Sequence, residues 1–246
     1  MRPLAPVRVA ALVMAAIAAA AWTGTGEAAK APRSVDQVWT HPDFASFNVQ
    51  GIAMLPPATY EHDLTAEKVV QSEWGRAFQG AGYRWVSATS ARDLIRAGAA
   101  GDSILKVIKQ FVLDSVRIDS LMAPALSARF RTRALLTVRV DQWSQITIEP
   151  DQSGKPSTSV QLRAALVDST GRLLWRISGS ETVEGLYHEP VAGDAERSGS
   201  AGTRSTGLMG STVAGGPPPF DDVLDRLFLR WTKLFPAKSA PADSAK

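Results

Sequence analysis

His62, in Tyr60-Glu61-His62-Asp63, and His188, in Tyr187-His188-Glu189, each set an imidazole beside carboxylates, the ingredients of a metal half-site or an acid–base pair. A metal needs three or four converging ligands, and neither cluster has a second histidine at helical i, i+4 spacing, so both read as solvated loop histidines. Ser103-Ile104-Leu105-Lys106 matches S-x-x-K, the nucleophile and base of penicillin-binding enzymes. Its companions S-D-N and K-T-G are missing, and a serine at a helix start followed by an exposed lysine accounts for it. The glycines of 202–207 have phosphate-loop spacing, but Leu208 stands where the gripping lysine belongs. A sugar-stacking face built from Trp85, Trp143 and Trp175 is conceivable, yet these residues lie in apolar stripes, which favours core packing. The chain has no cysteine, which removes disulfides, thiol nucleophiles, Cys-ligated metals and a lipidated anchor. The sequence therefore predicts no catalytic set, no metal site and no cofactor.

Those side chains must be held by a fold, and the composition allows one. The chain has 246 residues, 45% hydrophobic and 21% charged, enough for one large domain. Its 27 basic and 24 acidic residues are scattered rather than blocked, so charge alone does not imply nucleic acid. Arg2 and Arg8 precede an apolar run over 9–22, which is followed by the small residues Gly26 and Ala28 at −3 and −1 of a cut. That is a Sec-type signal peptide over 1–28, cleaved before Ala29, and it predicts a periplasmic or secreted protein. The run is short for a bilayer span, and no transmembrane stretch follows it, which leaves room for peripheral membrane association. The alternative at this end is an uncleaved signal anchor.

Residues 29–48 read as an extended lead-in over the domain surface. A single α/β domain is expected over 49–236, interrupted by a Gly/Ser/Pro-rich, disordered loop at 191–219 and followed by a polar tail over 237–246. Within it, 49–55 is a short apolar strand closed by Pro56-Pro57. Val70, Trp74, Ala77, Phe78 and Ala81 then form one helical stripe stopped by Gly80 and Gly82. Tyr83 to Ser87 is a second strand, and Ser90 reads as the N-cap of a short helix ending near Gly98. Asp102 or Ser103 caps a longer helix, and Pro124 suits the first turn of another helical piece. Residues 134–149 switch to period two with a bulge near Trp143, and Asp168-Ser169-Thr170-Gly171 is a hairpin turn. Asp221-Asp222 open a last helix with Leu224, Leu227, Phe228, Trp231, Leu234 and Phe235 on one face.

The phrases IAMLPP, Gly80-Ala81-Gly82-Tyr83 after a long helix, ALLTVRVDQW and VQLRAALVDSTGRLLW resemble a superfamily of bacterial envelope proteins. It includes the curli-secretion lipoprotein and the penicillin-binding-protein activator lipoproteins, and the resemblance covers 48–183 plus the last helix. It implies a three-layer α/β sandwich around a mixed sheet, for which the residue pattern gives about five strands in the order β-α-β-α-α-β-β-β-α. It also implies a non-catalytic protein that assembles or regulates envelope machinery, which makes the expected partner an envelope protein or a second copy (a homo-oligomer); no nucleic acid is expected, in keeping with the scattered charge. The departure is the missing lipidated cysteine. The alternatives are a periplasmic small-ligand or glycan-binding domain, or an unrecognised hydrolase. Ligands of open sheets settle beyond the carboxyl ends of parallel strands, which selects Tyr60, His62, Asp63, Thr89 and Ser90 as candidate ligand-binding residues.

Overall fold

The structure is a computed structural model, and it describes residues 36–61, 63–149, 152–188 and 216–238. The signal peptide, His62, most of the 191–219 loop and nearly all of the tail lie outside these residues. The described chain is mixed α/β. Strands β1 (Gln37–Thr40), β2 (Gly51–Met54), β3 (Ala58–Thr59), β4 (Arg84–Val86), β5 (Ala134–Ile146), β6 (Ser157–Asp168) and β7 (Leu173–Glu184) make one sheet. Its order is β1-β7-β6-β5-β2-β4, with β3 also pairing β5. The helices are α1 (Leu64–Phe78), α2 (Ala88–Arg96), α3 (Gly101–Ser115), α4 (Ala123–Phe130) and α5 (Phe220–Leu234).

Seven strands replace the expected five because two short ones carry no period of their own. β1 lies in the lead-in and is exposed throughout, but it pairs antiparallel with β7, Val38 opposite Ile177. β3 is two residues after Pro56-Pro57, and it resumes along β5 the parallel pairing that β2 began, Ala58 opposite Arg139. The prolines kink a line of backbone that β5 holds on both sides of the kink. Three helices separate β4 from β5, matching the three helical pieces read from the residues and one more than the element order stated above.

The two faces of the sheet are covered differently. One face meets α1 and α5 through a core containing the fully buried Trp74, Trp175, Trp231 and Phe228. Trp74 stacks on Phe78 at 4.3 Å and meets Phe228 edge-on at 5.2 Å, so the two amphipathic stripes interlock through aromatic rings. The other face meets α2, α3 and α4 through Ala53, Leu55, Leu135, Ile95, Ile108 and Phe130. The bulge in β5 falls between Val140 and Gln142, and beyond it the burial of the strand gives way to exposure. At the β6–β7 turn, Gly171 takes φ 84° and the Asp168 side chain accepts from the backbone N–H groups of Thr170 and Arg172.

Helix starts differ from expectation in two places. Ser87, not Ser90, is the N-cap of α2; its Oγ accepts from the Ser90 N–H at 3.1 Å. α3 begins at Gly101 after Ala100 in the left-handed region, so Asp102 and Ser103 already lie in the first turn. A Cβ on Gly101 would come within 2.6 Å of the Arg96 backbone, which is why the chain can close between α2 and α3 there. Pro124 stands in the first turn of α4, as expected.

Candidate functional site

β2 runs parallel to both β4 and β5, so the carboxyl ends of β2 and β4 lie at the same end of the sheet, where α1 and α2 begin. Asp63 caps α1, its Oδ1 accepting from Thr65 N at 2.8 Å and Ala66 N at 3.0 Å, and Ser87 caps α2. Each cap turns the chain sharply away from its strand. Between the opening turns of α1, the outer side of α2 and the near side of α3 lies a cleft of about 570 Å³, in the size range of small-molecule sites.

The cleft has an apolar floor and a charged wall. Pro57 and Ile108 are buried in it, and Leu64 stands exposed at its rim. Five cations and two carboxylates line it. The Lys109 ammonium meets Glu67 Oε1 at 2.5 Å, and Arg96 Nε meets Asp102 Oδ1 at 3.0 Å, which engages both acids. Lys68 of α1, Arg92 of α2 and Lys106 of α3 have no carboxylate within 4.0 Å among the described residues.

None of the four described candidate residues lines this cleft, although all lie in the segments bordering it. Tyr60 turns toward the end of α3: its hydroxyl donates to the Leu113 carbonyl at 2.9 Å, and the Arg139 guanidinium lies 5.5 Å from its ring centre. Tyr60 and Asp63 share a smaller hollow of about 160 Å³ with Asp141 and Trp143. Asp141 sits between two cations there, Arg139 and Arg163, each at 2.6 Å. Thr89 accepts a hydrogen bond from Gln71 of α1, one turn from Arg92, and Ser90 is spent in the start of α2. Ser103 of the S-x-x-K match is exposed on α3, while its Lys106 lines the cleft. Trp85, Trp143 and Trp175 form no common face: Trp175 is fully buried among the rings under α5, and Trp143 stacks on Phe220 at 3.9 Å.

The sequence reading missed Lys68, Arg92 and Lys106 because a cation on the solvent side of a helix has no distinguishing local pattern. It also missed the far end of the sheet. β5, β6 and β7 are 13, 12 and 12 residues long, while their neighbours span four or fewer. At or just beyond their far ends lie Ile146 at 57%, Leu186 at 78% and Tyr187 at 57% exposure. The register joins these positions: Ile146 lies opposite Ser157, Ser157 opposite Glu184, and Gly154 bridges His188. Among the described residues, no group of three or more His, Asp or Glu is placed to hold a metal, and no helix is long and apolar enough to cross a membrane.

No protein-family model and no curated protein matches the chain. Among solved structures, the lipoprotein GNA1162 from Neisseria meningitidis is 20% identical, over 55% of this chain and 83% of its own, with a TM-score of 0.40. The PelC dodecamer from Paraburkholderia phytofirmans is 17% identical, over 62% of this chain and 81% of its own, at 0.36. The LpoB C-terminal domain from Salmonella enterica is 12% identical, over 55% of this chain and 84% of its own, at 0.30. Each of these likenesses is weak.

Proposed function

We propose that the chain is an exported, non-catalytic protein of the bacterial envelope, an assembly or regulatory factor that works through protein–protein contacts made by one 49–236 domain. The supporting observation is the far end of β5–β6–β7, where Ile146 at the end of β5 and Leu186 and Tyr187 just beyond β7 are exposed. Exposed apolar side chains gathered in one region mark sites of protein interaction. The basic and apolar segments at 2–22 support export. The partner is an envelope protein or a second copy of the chain.

The test places a photo-crosslinking residue at Leu186 and, in a parallel variant, at Leu121, which is 85% exposed but lies before α4. A discrete adduct from position 186 that is lost on Tyr187→Glu, with none from 121, supports the reading, and its mass separates a homo-oligomer from another protein. Equal labelling from both positions, or none from 186, overturns it. N-terminal sequencing tests export separately: a chain starting near Ala29 fits, and a retained Met1 does not. A second reading, ligand binding beyond the carboxyl ends of β2 and β4, is favoured by the cleft described above.

A further inference from the structure

We propose that the cleft between α1, α2 and α3 binds a phosphate-bearing anion, with Lys68, Arg92 and Lys106 as its ligands. Three different helices each bring one cation to a single concavity, and both carboxylates of the lining are already held by Lys109 and Arg96. Like charges gathered around a hollow repel one another and focus a positive potential into it, a cost that an entering anion reverses. Nothing in the packing requires these three cations, because Lys68 and Lys106 are exposed and Arg92 is half-buried. An arginine fork beside two lysine point charges suits the several oxygens and multiple charge of a phosphate better than a single carboxylate.

The remaining wall narrows the ligand further. Pro57, Leu64 and Ile108 give the cleft an apolar side next to the cations, so the ligand joins a phosphate to a less polar body. At about 570 Å³ the cleft has room for more than inorganic phosphate alone. Two sources share this chemistry in an envelope: the headgroup of an anionic phospholipid and a soluble organic phosphate. The inference stands apart from the ribbon-end interface, since the two surfaces share no residue.

The experiment uses the purified protein and two probes, inorganic pyrophosphate by titration calorimetry, with citrate as the carboxylate comparison, and phosphatidylglycerol vesicles by co-sedimentation, with phosphatidylcholine vesicles for comparison. The variant Lys68→Gln/Arg92→Gln/Lys106→Gln is set against Arg133→Gln/Arg226→Gln/Lys233→Gln, which removes the same charge from exposed positions outside the cleft. Thermal melts establish that both variants fold, and the single variant Arg92→Gln serves if the triple does not. The expected result is binding of at least one phosphate probe that falls by about tenfold or more in the cleft variant and by less than about twofold in the comparison variant. Vesicle binding without pyrophosphate binding identifies a lipid headgroup, and the reverse identifies a soluble phosphate. Equal losses in the two variants show diffuse electrostatics and overturn the proposal. So does the absence of binding to either probe, or citrate binding as tightly as pyrophosphate.

Discussion

Arg230 of α5 grips Asp36 at the head of β1, Nε to Oδ2 at 2.8 Å, across 194 positions of sequence. The same Asp36 accepts from the Trp231 indole at 3.2 Å, and Arg230 also meets Glu181 and donates to the Ser180 carbonyl at 3.1 Å. The hydrogen bond to Asp36 holds the Arg230 guanidinium above its ordinary pKa, so the guanidinium keeps its charge. The lead-in is thereby tied to the last helix, and the exposed β1 gains an anchor that its own side chains do not supply.

Removing that anchor should loosen the edge of the sheet. Asp36→Ala is expected to cost about 1–2 kcal/mol, discounted for the partial exposure of Arg230, and to lower Tm by a few degrees. Thermal unfolding checks this, and an unchanged Tm would show that β1 docks without the pair.

Gly179 makes the approach of Asp36 feasible. A Cβ there would lie 2.0 Å from Asp36 Oδ1 and 3.1 Å from Trp231 Nε1. Gly179→Ala should therefore cost about 1–3 kcal/mol in urea denaturation by displacing the carboxylate. In an Asp36→Ala background the cost should shrink, since the two substitutions act on one contact. Simple additivity would contradict this account.

Glu73 of α1 is almost buried and faces α5. Burial raises its pKa above the ordinary carboxylate value, Arg76 opposes that rise, and Asp225 and Asp221 of α5 add to it. A native state that holds its proton to higher pH than the unfolded chain loses stability as pH climbs from the ordinary glutamate value through the raised one. Glu73→Gln removes that loss, so its Tm should exceed that of the parent at neutral pH, by an amount worth less than about 1 kcal/mol, and the gap should close near pH 4. A gap that widens on acidification would reverse the sign.

Ser87 and Ser90 separate a capping role from a neighbouring one. Ser87→Ala removes the acceptor of the Ser90 N–H and should cost about 1 kcal/mol. Ser90→Ala leaves that bond in place and should cost distinctly less. Equal costs in paired melts would return the cap to Ser90.

Tyr83 ties the entry of β4 to the segment after α5, its hydroxyl donating to the Pro236 carbonyl at 2.9 Å. Burial pushes its pKa up to about 12, so it stays a donor throughout the working range. Tyr83→Phe is expected to cost about 1 kcal/mol with no pH dependence between 5 and 9, values well below the reach of a phenol. Denaturation at both ends of that range is the check.

The elements legible in the sequence are those whose signals fit within a turn or two of chain. The stripe of α5, the period-two run of β5 with its bulge near Trp143, the Asp168–Gly171 turn and the β2–α1–β4 passage all declare themselves locally, because burial of one face imposes a period. A cleft opens at the end of the sheet to which strand direction points, but the cations lining it were not legible in the sequence. Lys68, Arg92 and Lys106 become a group only when three helices rotate onto one another, and helix rotation is set by the buried faces rather than by the exposed residues that result. β1 is a strand because β7 offers an unpaired edge, and Asp36 meets Arg230 because α5 packs on the face of the sheet beside that edge. The sequence by itself determined the periods, caps and turns; tertiary packing alone decided which charges meet, since charge acts through space and carries no period along the chain.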